Sequence, residues 1–428
     1  MSSTVIERTS TMRTVLWASV LGTVVEWYDF LIYGTAAALV FNKLFFPTFA
    51  PATGTLAAFG TYAVGFAARP LGGIVFGHFG DRLGRKTMLM LTMMIMGGGT
   101  FLIGCLPTFG QTGIWAPLLL IVLRFVQGFG LGGEWGGAVL MVVEHTPAGR
   151  RGLYGSLVQI GFPLGVAAST GIFVPLSALP TDDFLSWGWR IPFLLSVALV
   201  AVGLFVRMRL SETPAFEQMR HAGNLARRPM LEVFSRVPRV VLIAIGMKIS
   251  EVAWVYVLTV FSIVYATTKL GLPRTLILNG IIAGAVLELV TLPLAGALSD
   301  RFGRKPIYLA GVALSIACAF PVFWLLDTRD PVFVVVGLAL VMNVTHAIGF
   351  GIGASWMPEL FGTRVRYTGA SIGCQVSAAL SGGFAPIIAT ALLAWAGATW
   401  PVSVYLNCAG AGRWYGGDRG EGDARRGN

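Results

Sequence analysis

Long apolar runs alternate along this chain with short polar segments. Eleven runs fall near residues 15–41, 55–77, 87–107, 117–143, 153–178, 190–207, 240–267, 275–297, 306–326, 332–357 and 367–396. About 20 apolar residues in a helix cross a hydrocarbon core of roughly 30 Å, so each run reads as a membrane-spanning helix. The first run is too long for the core of a cleaved leader and carries Glu26 and Asp29 in its interior, so it too reads as a span. Six runs precede an arginine-rich polar stretch at 208–239, and five follow it.

The polar segments repeat. Gly77-His78-Phe79-Gly80-Asp81-Arg82-Leu83-Gly84-Arg85-Lys86 joins the second and third runs. Gly296-Ala297-Leu298-Ser299-Asp300-Arg301-Phe302-Gly303-Arg304-Lys305 joins the eighth and ninth, 219 residues later. Glu144, Arg151 and Ser156 recur as Glu359, Arg366 and Ser371, 215 residues on. Glu26 and Asp29 align with Lys248 and Glu251 at an offset of 222, and Arg69 aligns with Glu288 at 219. Such a duplication of a helical bundle is a common plan among secondary transporters. The expected fold is an all-α integral membrane protein of two pseudo-symmetric six-helix bundles. The first occupies 1–207, a linker runs over 208–239, and the second bundle occupies 240–405.

Composition narrows the class. Apolar residues make up 55% of the chain and charged residues 12%, far from soluble averages. The net charge of +11 invites a nucleic-acid partner, but its distribution rejects one. With the N-terminus inside, the loops on that side hold 19 of the 31 Lys and Arg residues, and the opposite loops hold five. That asymmetry predicts a cytoplasmic N-terminus in a plasma (inner) membrane, with the lipid bilayer as the basic loops' partner. The four cysteines lack metal-ligand or CxxC spacing. No metal cluster, nucleophile–base pair or phosphate loop argues for an enzyme, and no cofactor is expected. A channel or a seven-helix receptor fits poorly with doubled loops and buried charges in both halves.

These features resemble the major facilitator superfamily, whose best-known signature is the doubled Gly-x-x-x-Asp-Arg-x-Gly-Arg-Lys loop. Arg124-Phe125-Val126-Gln127-Gly128 is similar to a second superfamily motif. Glu26-Trp27-Tyr28-Asp29-Phe30, Arg69-Pro70-Leu71-Gly72-Gly73, Gly132-Gly133-Glu134-Trp135-Gly136-Gly137 and Ser186-Trp187-Gly188-Trp189-Arg190-Ile191-Pro192-Phe193 point to its metabolite:proton symporter family. The shikimate-type organic acid transporters look closest, through Lys248 with Glu251 and Asn343 with His346. Carriers of proline/betaine, 2-oxoglutarate and citrate share most of the rest. The resemblance implies a monomeric symporter that imports a small organic acid or zwitterion together with protons by alternating access.

Eight ionisable side chains besides His346 lie well inside the runs: Glu26, Asp29, Arg69, Arg124, Glu134, Lys248, Glu251 and Glu288. Each costs at least ~2.5–3.5 kcal/mol in a bilayer, so each needs a partner or a wet cavity. Glu26 and Asp29 share a helix face, and two such carboxylates do not both ionise easily, so one is expected to carry a proton. The resemblance implies a gating pair of Asp29 with Arg124; the alternative is a structural bridge between the first and fourth spans. Glu26 and Glu134 join the expected proton-coupling set. Arg69 and Lys248 are candidate carboxylate ligands, or else partners of Glu134 and Glu251. Gln159 and Asn343 are candidates to bind substrate hydroxyls, His346 to bind substrate or carry a proton or else to be a satisfied buried histidine, and Tyr28 and Trp254 to line the cavity or pack helices. Arg69 and Glu288 either form a gate between the bundles or find local partners. Asp81, Arg82, Arg85, Asp300, Arg301 and Arg304 are the expected gating residues, as well as topogenic charge.

The last 22 residues hold seven glycines and seven charges, where the family continues into a twelfth span. Residues 406–428 therefore read as an aberrant polar tail with the twelfth helix lost, consistent with a frameshift, and an inactive remnant becomes a rival reading.

Overall fold

The computed structural model describes residues 12–83, 85–132, 139, 142, 146, 148–208, 237–361 and 366–424, without the side chains of 12–15, 18, 77, 78, 80–83, 85, 86, 89, 148, 206, 207, 366–368 and 413–424. Those residues are helical almost throughout, because a backbone in hydrocarbon must satisfy its own hydrogen bonds. The first half contributes α1 (Met12–Ala36), α2 (Pro51–Leu83), α3 (Arg85–Gly104), α4 (Trp115–Leu131), α5 (Arg151–Ser177) and α6 (Gly188–Phe205). The second half contributes α7 (Pro238–Lys269), α8 (Arg274–Phe302), α9 (Arg304–Cys318, bent by 42° into Pro321–Asp327), α10 (Pro331–Glu359), α11 (Gly369–Ala396) and α12 (Trp400–Ala424). Most of the 208–239 linker lies outside the described residues.

Apolar residues left exposed recur at helical spacing: Leu118, Val122 and Phe125 on α4; Val286, Val290 and Leu294 on α8; Phe333, Val336 and Leu340 on α10. Such stripes on an all-helical protein face lipid rather than water. Glycines bring α2 and α4 together. A Cβ added at Gly128 or Gly132 would overlap the carbonyl of Gly65 or Arg69, so no other residue fits there without moving a backbone.

The duplication is visible in the backbone. A π-turn follows α1 at Ala37–Phe41, and another interrupts α7 at Val257–Phe261, 220 residues later. Across the interface between the halves, α5 packs on α8 and α10, and α2 packs on α11.

The chain stays helical past 406, in α12. Leu406 is fully buried, Ser403 Oγ donates to the Ala319 carbonyl at 2.7 Å, and Gly410 lies against Ile316 of α9. Gly410 lets α12 approach α9 closely, α12 also packs along α7, and packing outweighs propensity. Beyond Gly412 the helix carries Arg413, Asp418, Arg419, Glu421 and Asp423. With these charges α12 is not among the helices apolar enough to cross a membrane.

Candidate functional site

The buried charges form two clusters around one cavity. In the first half, Arg124 is fully buried, and its guanidinium sits over the rings of Phe30, Tyr33 and Tyr62 at 4.0, 4.2 and 4.7 Å. Gly65 makes this possible, since a Cβ there would stand 2.5 Å from Arg124 Nε. Arg124 Nη1 donates to Gln127 Oε1, one turn along α4, while Nε and Nη2 have no hydrogen-bond partner. Gln127 Nε2 donates to the main-chain carbonyl of Asp29 (3.1 Å) and to Thr100 Oγ1 (2.7 Å). The expected direct pairing of the Asp29 carboxylate with Arg124 is therefore not made. Gln127 links them through the backbone, and aromatic faces take the place of a counter-ion. Sequence reasoning misses Gln127 because a neutral residue carries no burial-cost signal; its position one turn from Arg124 is the clue.

In the second half, Lys248 Nζ and Glu251 Oε1 pair at 2.6 Å, both buried, with Nζ 4.6 Å from the Phe350 ring centre. Such a pair holds two charges in the bilayer at no net charge. Farther along, α10 passes through a π-turn at Asn343–Ala347, a device that re-aims side chains at functional positions. It directs His346 Nδ1 to Glu288 Oε1 of α8 at 2.8 Å. The imidazole lies between Phe162 of α5 (4.5 Å, tilted) and Phe350 (4.6 Å, stacked). Glu288 thus has a local partner, the alternative to the gate with Arg69.

A small cavity lies between the two halves. Its wall includes Glu26, Arg69, Lys248, Glu251 and His346, together with Trp27, Tyr256, Phe350, Cys374 and Gln375. Among the described residues, two carboxylates and two cations thus face one small space. Four other expected ligands are not in this wall. The Tyr28 hydroxyl donates to the Pro192 carbonyl at 2.8 Å and ties α1 to α6. Asn343 Nδ2 donates to the Gly284 and Ala339 carbonyls at 2.9 and 2.8 Å, and its Oδ1 accepts from Thr291 Oγ1. Its hydrogen-bonding capacity is spent on holding α10 to α8. Trp254 is fully buried, and Gln159 is buried with its Nε2 unbonded. Asp29 is also outside the wall, so Glu26 is the member of its pair that reaches the cavity. Glu134 lies outside the described residues.

The halves touch on both sides of the cavity. On one side Gly382 and Gly383 of α11 lie against Phe66 and Ala63 of α2, with Tyr256 beside Phe66 at 5.2 Å. On the side of the repeated loops, the Asp300 carboxylate accepts from the backbone N–H groups of Gly152 and Leu153, each at 2.9 Å. It thereby caps the start of α5 in the opposite half, where free N–H groups and the helix dipole favour an anion. Arg304 braces this carboxylate at 2.7 Å and reaches Glu359 at 3.5 Å. Arg301 is exposed and lies over the Phe302 ring. The side chains of Asp81, Arg82 and Arg85 lie outside the described residues.

Comparison with known proteins places this geometry in context. Residues 20–383 match the family model for the Major Facilitator Superfamily. The chain is 46% identical over 402 residues to the shikimate transporter of Escherichia coli (strain K12), covering 93% of this chain and 92% of that one. It is 34% identical over 383 residues to the proline/betaine transporter of the same organism, covering 87% and 76%. A crystal structure of a D-xylose–proton symporter superposes with a TM-score of 0.72 at 18% identity, covering 96% of this chain and 97% of that one, a likeness of fold alone.

Proposed function

The chain belongs to the major facilitator superfamily and is a multi-pass membrane transporter rather than an enzyme; we propose that it is a proton-driven importer of a small hydroxylated carboxylate such as shikimate. The observation that carries this reading is the cavity between the halves, with Arg69 and Lys248 in its wall as carboxylate ligands and Glu26 as a proton carrier. The 46% identity to a shikimate transporter supports the substrate class.

In this reading the N-terminus and the repeated loops face the cytoplasm of an inner membrane, as the excess of basic loop residues requires. A proton enters from outside, the acid binds between the halves, and rocking about the cavity exposes both to the cytoplasm. Asp300 and Arg304 hold the cytoplasmic side shut until then, with Arg301, Asp81, Arg82 and Arg85 in the same gate. One proton carried with a monoanion moves no net charge, so uptake responds to a pH difference and not to membrane potential, which acts at roughly 2.3 kcal/mol per charge per 100 mV. The protein works as a monomer, since each chain holds a complete cavity.

A second reading has a specific observation in its favour. The wall pairs cations and carboxylates with Trp27, Tyr256 and Phe350, which also suits a zwitterion such as betaine. Thermal stabilisation of the purified protein by shikimate and related hydroxy acids, with none by betaine, proline, 2-oxoglutarate or citrate, supports the first reading. Stabilisation by betaine and not by acids supports the second. No ligand response in a well-folded preparation indicates an inactive remnant.

A further inference from the structure

We propose that Arg274, the first residue of α8, is the latch that holds the outer side of the transporter shut, so that α8 carries at its two ends the opposite charges that fasten it to the two ends of α5. This rests on the rocking of the halves and the membrane orientation in the reading above, and on neither the substrate nor the proton. It gives a role to a residue that lies outside the repeated loops and outside the set of buried charges.

The acceptor is a helix end whose own chain leaves one carbonyl over. α5 ends at Ser177, and the last carbonyls of a helix have no partner inside it. Three of the last four are met locally. Val174 accepts from Ser177 Oγ at 3.0 Å, Pro175 from the N–H of Ala178 at 3.3 Å, and Leu176 from the N–H of Leu179 at 3.2 Å. The same turn would bring residue 180 to the Ser177 carbonyl, but Pro180 has no N–H to offer. Arg274 Nη2, from the other half, donates to it at 3.1 Å. The guanidinium also lies over the ring of Phe184, 4.7 Å from its centre, and Phe184 is fully buried in the first half. The dipole of α5 is negative at this end, so a cation is favoured there.

The donor is held as firmly. The N–H of Leu272 donates to the Ala266 carbonyl at 2.9 Å, Gly271 supplies the left-handed turn at φ 68°, and Pro273 sets the entry to α8. Arg274 is thus carried by the second half, while Ser177 and Phe184 are carried by the first. Between the two ends α5 and α8 run antiparallel. Gly152 meets Asp300, Ser156 meets Gly296, Gly171 meets Ile282 and Ser177 meets Arg274. At one end of α5 the Asp300 carboxylate caps its N–H groups. At the other Arg274 caps its carbonyls. Both contacts are made in this structure.

Rocking breaks one cap at a time. Arg274 and Asp300 stand near opposite ends of α8, roughly 40 Å apart at 1.5 Å per residue. A tilt of the halves about the cavity between them parts one end and leaves the other in contact. Opening to the cytoplasm breaks the Asp300 cap and keeps that of Arg274; opening outward does the reverse. Each cap exists only in states closed on its own side, and such a differential contact sets the populations of the two states. The latch is not a by-product of the duplication. The 219-residue offset puts Thr55 in the place of Arg274, and Thr55 Oγ1 donates to the Pro51 carbonyl of its own helix at 2.9 Å. Arg274 is also one of the five basic residues of the outer loops, where the orientation rule disfavours them.

The test is electron–electron resonance on the purified, intact protein in lipid nanodiscs, in a background without native cysteines. One spin-label pair sits at the outer ends, at Thr181 and Thr268, and another at the cytoplasmic ends, at Gly149 and Phe302, all four exposed. Arg274→Met keeps the length of the side chain and removes its charge and donors. It is expected to favour the outward-open state about tenfold, for the loss of one charge-assisted hydrogen bond at a half-buried site. The outer distances then lengthen while the cytoplasmic ones stay short. Asp300→Asn should lengthen the cytoplasmic distances and leave the outer ones short. A general loss of stability would not move the two faces in opposite senses. Outer distances in Arg274→Met that match the wild type, while Asp300→Asn opens the cytoplasmic side, overturn the latch and leave the rocking reading standing. If neither variant moves either face, the rocking reading fails and the latch with it. Should Arg274→Met not fold, Phe184→Leu removes the aromatic face alone and should favour long outer distances about threefold; outer distances unchanged by that substitution overturn the proposal.

Discussion

Gly152→Ala is expected to drive the transporter open on the cytoplasmic side. Gly152 lies in the first turn of α5, where the halves touch. A Cβ added there would stand 2.5 Å from the Gly296 carbonyl oxygen and 2.7 Å from Ser299 Oγ, both on α8. The carbonyl belongs to a helix backbone and cannot turn aside, so α5 and α8 must separate or strain. Overpacking of a tight contact costs about 1–3 kcal/mol. That cost falls only on the state in which these helices touch, so the closed state loses roughly 5–150-fold in population relative to the open one. Electron–electron resonance between spin labels at Gly149 and Phe302, both exposed beside the contact, reads the separation directly in a background without native cysteines. The distribution should shift to longer distances, and the rate of proton-driven uptake should fall. An unchanged distribution in a variant of normal thermal stability refutes the reasoning, because the contact would then not discriminate between the two states.

Other substitutions separate structure from chemistry. Lys248→Met leaves Glu251 buried without its partner and should cost about 3–5 kcal/mol of stability, whereas replacing both residues with apolar ones should restore most of it while abolishing binding; thermal unfolding and ligand titration distinguish the two effects. Asn343→Ala should destabilise by about 1–3 kcal/mol, because two backbone carbonyls lose their donor, with substrate KM near wild type; a large rise in KM at unchanged stability would restore Asn343 as a ligand. Gln127→Leu should impair transport as severely as Asp29→Asn, because Gln127 ties Arg124 to the Asp29 backbone; full accumulation by Gln127→Leu would show that the link is dispensable.

Much of the fold is written in one-dimensional patterns. Apolar run length fixes where helices lie, and the twin loops at 77–86 and 296–305 reveal the duplication, because both are local signals. The π-turns at Ala37–Phe41 and Asn343–Ala347 carry no comparable mark, since packing between helices sets them. The same limit governs the site. A buried charge announces that it needs a partner, so Glu26, Arg69, Lys248 and Glu251 are found from sequence, but not which partner it takes. Arg124 is expected beside a carboxylate and instead lies among Phe30, Tyr33 and Tyr62. Asn343 looks like a ligand because it is polar in an apolar run, yet its bonds are internal. The break at 406 is read from glycine and charge content, which reports solvation and propensity but not the close packing that Gly410 allows against α9.

Uptake of labelled shikimate into proteoliposomes with an acidic exterior tests the central claim most directly. The account predicts accumulation above the external concentration, stimulated by a larger pH difference, indifferent to membrane potential and abolished by a protonophore. Shikimate that merely equilibrates across the membrane, or betaine that accumulates while shikimate does not, contradicts it.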